Sequence, residues 1–116
     1  MAIVVPKEAK EEVMKLQQYQ EQLQVLNMER QNIKSSIISI SHSIEELRKI
    51  TKEDAYEIVG TVMIKRDKDM LIKSLINKKD SLEMRDNLIG KQMDRLNLKA
   101  SELQKNIMKK VKGGKK

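Results

Sequence analysis

Residues 51–67 read TKEDAYEIVGTVMIKRD, the one stretch of the chain that does not carry a helical pattern. Tyr56, Ile58, Val59, Val62, Met63 and Ile64 are β-branched or bulky, and they flank Gly60-Thr61 with charged residues at both ends; this composition predicts a β-hairpin. Glycine at the first central position suits a two-residue type II′ turn, because only glycine takes a positive φ there without a Cβ clash. The expected cross-strand pairs are Val59 with Val62, Ile58 with Met63, Glu57 with Ile64 and Tyr56 with Lys65. Apolar side chains then emerge on both faces of a two-stranded ribbon that cannot cover them. The hairpin is therefore expected to assemble with copies or partners into a larger sheet.

On the N-terminal side of the hairpin, no proline or glycine interrupts the chain between Pro6 and Ile50. Two seven-residue tracks run through it. Leu16, Leu23, Arg30, Ile37 and Ile44 make one, and Tyr19, Leu26, Ile33, Ile40 and Leu47 the other. A heptad repeat sustained this long predicts a coiled-coil helix. Arg30 is the exception, a cation on the seam of the kind that fixes register or partner number at some loss of stability. The segment SSIISISHS, Ser35 to Ser43, has poor helix propensity, but Ile37, Ile40 and Ile44 keep the heptad register and place it in the helix.

On the C-terminal side, Asp67 is the expected N-cap of a second helix running to about Lys110, with Asp69 in its first turn. Its first track, Leu75, Leu82, Ile89, Leu96 and Leu103, is unbroken. The companion track, Ile72, Lys79, Asp86, Met93, Ala100 and Ile107, is interrupted by Lys79 and Asp86. Gly90 lies inside this helix, either tolerated or marking a close approach or a bend. Two helices of about 60 Å joined by a tight hairpin must fold back antiparallel, with Leu16 near Lys105 and Leu23 near Leu98. The expected fold is dominated by α-helix: one domain over residues 1–116, with a tip and first helix at 1–50, a hairpin at 51–67, a second helix at 68–110 and a basic tail at 111–116.

Composition narrows the function. The 116 residues include no Cys, Phe or Trp and only two Tyr, while 35% are charged and the mean hydropathy is -0.60. A thick globular core is excluded and a narrow, ladder-like one favoured. The absence of cysteine removes disulfides, thiolate metal sites and a thiol nucleophile, and fits a reducing cytoplasm. The only short apolar run at the start, Ala2 to Val5, suits neither a leader nor a membrane span. His42, the single histidine, falls on the outer face of the first helix without metal-ligating companions. No phosphate-binding loop and no catalytic constellation is present, so no enzyme activity, metal or cofactor is expected.

The net charge of +7 is concentrated in the second half: residues 68–116 hold fourteen basic and six acidic side chains, and six lysines but no acid follow Glu102. That end favours an acidic partner. At the open end of the helix pair, Ile3, Val4, Val5, Val13, Met14 and Leu16 meet Leu103, Ile107, Met108 and Val111, flanked by lysines. Apolar, methionine-containing surface of this kind suits a binder of many unfolded sequences. The rival expectation is a basic coiled coil that binds nucleic acid or acts as a scaffold; it lacks aromatic platforms and groove-reading motifs. Membrane binding through the tail has only Ile107, Met108 and Val111 to offer.

The stretch AYEIVGTVMIKRDKDMLIKSL, together with QQYQEQLQVLNMERQNI, resembles the β-type subunits of prefoldin, an ATP-independent chaperone. The resemblance covers about Leu16 to Ile107, and a single hairpin is similar to the β type, whereas α-type subunits carry two. It implies a hexamer of two α-type and four β-type subunits whose hairpins join into β-barrels through Tyr56, Ile58, Val59, Gly60, Val62, Met63 and Ile64. It further implies that unfolded clients are held at the arm tips and passed to a group II chaperonin, with Lys109, Lys110, Lys112, Lys115 and Lys116 as the expected docking cations.

Overall fold

In the computed structural model, which describes residues 7–113 apart from the side chains of Glu8 and Lys112, four elements follow one another. Helix α1 spans Lys7–Lys49, strand β1 Asp54–Val59, strand β2 Val62–Asp67 and helix α2 Lys68–Gly113. The Ser35 to Ser43 segment is helical throughout. There Ser43 Oγ donates to the Ser39 carbonyl at 3.1 Å, which turns a potential competitor for the backbone into a bond within the helix.

The strands pair antiparallel in the register expected from the sequence, Val59 with Val62, Ile58 with Met63, Glu57 with Ile64 and Tyr56 with Lys65, and the ladder continues to Asp54 with Asp67. Gly60 has φ of +61° and Thr61 stays out of the positive region, the combination a type II′ turn requires. Because directly opposed residues share a face, the ribbon has two distinct sides. Tyr56, Ile58, Met63 and Lys65 project from one. Ala55, Glu57, Val59, Val62, Ile64 and Arg66 project from the other. Two exposed ion pairs run diagonally, Lys65 Nζ to Asp54 at 3.2 Å and Arg66 Nε to Glu57 at 3.4 Å; at this exposure each contributes roughly 0–1 kcal/mol.

The junction between the ribbon and α2 has no linker. Asp67 ends β2 and caps α2, its Oδ2 accepting from the backbone N–H of Met70 at 3.1 Å, and Asp69 lies in the first turn. On the other side, Ile50 to Glu53 connect α1 to β1, and Lys68 draws this connection in: its backbone N–H donates to the Glu53 carbonyl at 2.7 Å and its Nζ to the Ile50 carbonyl at 3.0 Å. Replacing Asp67 with alanine orphans the Met70 amide and is expected to lower the stability by about 1 kcal/mol, measured as a lower midpoint in urea; an unchanged midpoint rules out the cap as a contributor.

The helices divide between two compact units, one holding the residues up to Arg30 with those from Leu88 onward, the other Gln31–Asn87. In the second unit Ile33, Ile40 and Ile44 are buried, Ile37 and Leu47 half-buried, and Ile72, Leu75 and Leu82 half-buried on α2. Lys79 and Asp86, which interrupt the α2 track, are half-buried as well. The heptad geometry thus holds across the polar positions. A cleft lined by Ser41, Ile44 and Arg48 of α1 and by Ile76, Lys79 and Glu83 of α2 shows the antiparallel alignment there.

In the first unit the seam is Leu16, Tyr19, Leu23, Leu26 and Arg30 against Ile89, Met93, Leu96, Ala100, Leu103 and Ile107, with Ile89 fully buried and the others half-buried. Lys110 Nζ donates to Glu12 Oε1, tying the start of α1 to the end of α2. Gly90 marks a close approach: a Cβ built on it would lie 3.1 Å from Nη2 of Arg30, 3.3 Å from its Cζ and 3.4 Å from its Nη1.

Candidate functional site

No group of His, Cys, Asp or Glu among the described residues is placed to hold a metal ion, and His42 is exposed. None of their helices is long and apolar enough to cross a membrane. What the described residues do offer is apolar surface in two places, the hairpin and the helix ends.

On the hairpin, Tyr56, Ile58 and Met63 are 62%, 72% and 65% exposed on one side of the ribbon. Val59 and Val62, beside the turn on the opposite side, are also exposed, but Ala55 is buried and Ile64 half-buried there. The sequence suggested two bare apolar faces. One face is bare along its length and the other is bare only near the turn. The contiguous apolar strip of Tyr56, Ile58 and Met63, on a sheet of two strands with both edges unpaired, is a surface suited to assembly.

At the helix ends, Met14 and Met108 are exposed and Val13, Ile107 and Val111 half-buried. The alternation follows the helix geometry: Val13, Ile107 and Val111 lean toward the seam, while the methionines point away. Leu16 and Leu103 are half-buried positions of the seam itself. Ile3, Val4 and Val5 lie outside the described residues. Among the expected docking cations, Lys109 is exposed, Lys110 is engaged with Glu12, and Lys115, Lys116 and the Lys112 side chain lie outside the description.

Two features of this unit were not anticipated. The Glu12 carboxylate engages Lys110 through Oε1, while its Oε2 is buried with no hydrogen-bond partner among the described residues. An open groove of about 660 Å³ also runs along the helices, floored by Val25, Leu26 and Leu96 and rimmed by Glu21, Arg95 and Lys99. Both follow from the alignment centred on Gly60-Thr61, which sets Glu12 against Lys109 and Lys110. Charge complementarity at those positions was a readable signal.

A ribbon with one apolar side open, set between two antiparallel helices, defines a class: a helical-hairpin subunit with a surface suited to assembly. The comparisons identify which one. The family model described as "Prefoldin subunit" matches residues 10–114. The prefoldin subunit beta of Sulfolobus acidocaldarius is 34% identical over 104 residues, spanning 89% of this chain and 83% of that protein; that of Pyrococcus furiosus is 29% identical, spanning 89% of each. The crystal structure of the prefoldin beta subunit from Thermococcus strain KS-1 superposes with a TM-score of 0.85 at 26% identity, covering 95% of this chain and 97% of that one. The chain belongs to the prefoldin subunit family, a family of chaperones, and the relatives it matches are β subunits.

Proposed function

We propose that this chain is the β-type subunit of an ATP-independent holdase acting in the cytoplasm, which captures non-native proteins at its helix ends and delivers them to a group II chaperonin. The assembly is a hexamer of two α-type and four β-type subunits, closed by hairpins joining through Tyr56, Ile58, Val59, Gly60, Val62, Met63 and Ile64 into β-barrels. The observation that carries the reading is the pair of exposed methionines, Met14 at 62% and Met108 at 52%, on facing ends of the two helices. Methionine is unbranched and polarizable, and it adapts to apolar segments of many shapes. Val13, Ile107 and Val111 extend that surface, Leu16 and Leu103 adjoin it in the seam, and Ile3, Val4 and Val5 belong to the same proposed client-binding set. Lys109, Lys110, Lys112, Lys115 and Lys116 supply the docking cations, and no nucleotide, cofactor or metal takes part.

The test is light scattering of a denatured protein diluted into buffer without nucleotide, in the presence of this chain co-assembled with an α-type partner. Suppression near one complex per client is the expected result. Removing residues 1–14 and 105–116 is expected to abolish suppression while the oligomer persists in multi-angle light scattering. Undiminished suppression by the truncated complex overturns the assignment of the helix ends.

A further inference from the structure

Two positions look misplaced when taken singly, the only cation on the α1 seam and the only glycine within α2 short of its last residue. Each accounts for the other. The Arg30 guanidinium rests where a side chain at position 90 would begin, 3.1 to 3.4 Å from the place a Cβ would take. Gly90 adjoins the fully buried Ile89, so the notch lies at the edge of the tightest point of the seam. We infer that Arg30 and Gly90 form a key that selects one alignment of α1 with α2, and selects an α2 rather than a second α1 as its partner.

The selection rests on what the alternatives lack. Sliding α1 by one heptad in either direction brings Glu83 or Asn97 to the place of Gly90, and each begins where the guanidinium rests, so the cation must leave the notch, in the first case toward the Glu83 carboxylate. Pairing α1 with the α1 of a second copy offers no notch, because α1 contains no glycine. A helix with an entirely apolar seam accepts several registers and partners, and a single polar seam residue restricts them at a cost in stability. The chain needs the restriction on one side. Helix α2 follows β2 without a linker, whereas Ile50 to Glu53 leave slack between α1 and β1. In a complex that holds several copies side by side, the key keeps each α1 on an α2 and off a neighbouring α1.

The chain has no cysteine, so nitroxide labels can be placed cleanly at Gln22→Cys and Lys99→Cys, which line the same groove. Pulsed electron–electron resonance on the doubly labelled chain, diluted with unlabelled chain, reads the alignment. Chains that carry only the Gln22→Cys label, mixed without dilution, read pairing of one α1 with another. The parent chain is expected to give one narrow distance and no signal between copies, and Gly90→Ala the same, since its Cβ displaces only the flexible end of Arg30. Arg30→Leu is expected to give a second distance, a heptad shift displacing facing labels by about 10 Å, or a signal between copies. One unchanged distance and no α1–α1 signal in Arg30→Leu overturns the inference. Gly90→Leu, which fills the notch and leaves the cation, is expected to scatter the alignment in the same way; a single parental distance there also counts against the key.

Discussion

Replacing Ile58 and Met63 together with glutamate is expected to break the assembly with an α-type partner while leaving the single chain folded. The two residues oppose each other across the ribbon and are 72% and 65% exposed, so the charges meet water in the isolated subunit, where their repulsion across the strands costs no more than about 1 kcal/mol. Buried in a joined sheet without partners, each carboxylate costs several kcal/mol. About 4 kcal/mol in total already weakens association about a thousandfold. Size-exclusion chromatography with multi-angle light scattering should show the complex replaced by smaller species, with the helical circular dichroism retained. Ile38→Glu is the matched control, an equally bare isoleucine, 70% exposed but on α1; it should leave the complex intact. A complex that survives the double replacement locates the assembly surface elsewhere.

Truncating Ile89 to alanine is expected to be the most damaging single change within the helices. It is the only large side chain fully buried among the described residues. A two-helix seam has no second layer that could relax into the space. The loss should lie at about 3 kcal/mol, within the range for buried isoleucine truncations, and lower the melting temperature by about 10 °C or more. Leu98→Ala, at a position 63% exposed, should shift it by no more than about 2 °C. Equal effects from the two indicate that the seam is not packed around Ile89.

Where the chain's pattern is periodic, the fold was legible from it. The ten heptad positions from Leu16 to Leu47 are all buried or half-buried, including Arg30, because the helical period alone decides which side a residue takes. The hairpin register was legible for a similar reason: Gly60 tolerates the positive φ that fixes the turn, and the turn fixes every pair after it. The covering of Ala55 and Ile64 was not, since local alternation says which side a residue is on and nothing about what lies against that side. Arg30 and Gly90 were each visible as anomalies. Their meeting depends on an alignment between segments sixty residues apart, and only that alignment turns two weak signals into one contact. The Glu12–Lys110 pair was missed in the same way, its members being ordinary surface charges until the helix ends are set together.

The uneven attachment of the ribbon gives the molecule a mechanical polarity. Because Asp67 both closes β2 and caps α2, tension applied to the start of α2 reaches the strand through the main chain with no compliant segment between. Tension applied to the end of α1 first has to draw out Ile50 to Glu53 and strip the two Lys68 hydrogen bonds that gather them. At this junction α2 is the helix joined stiffly to the ribbon and α1 the one with give.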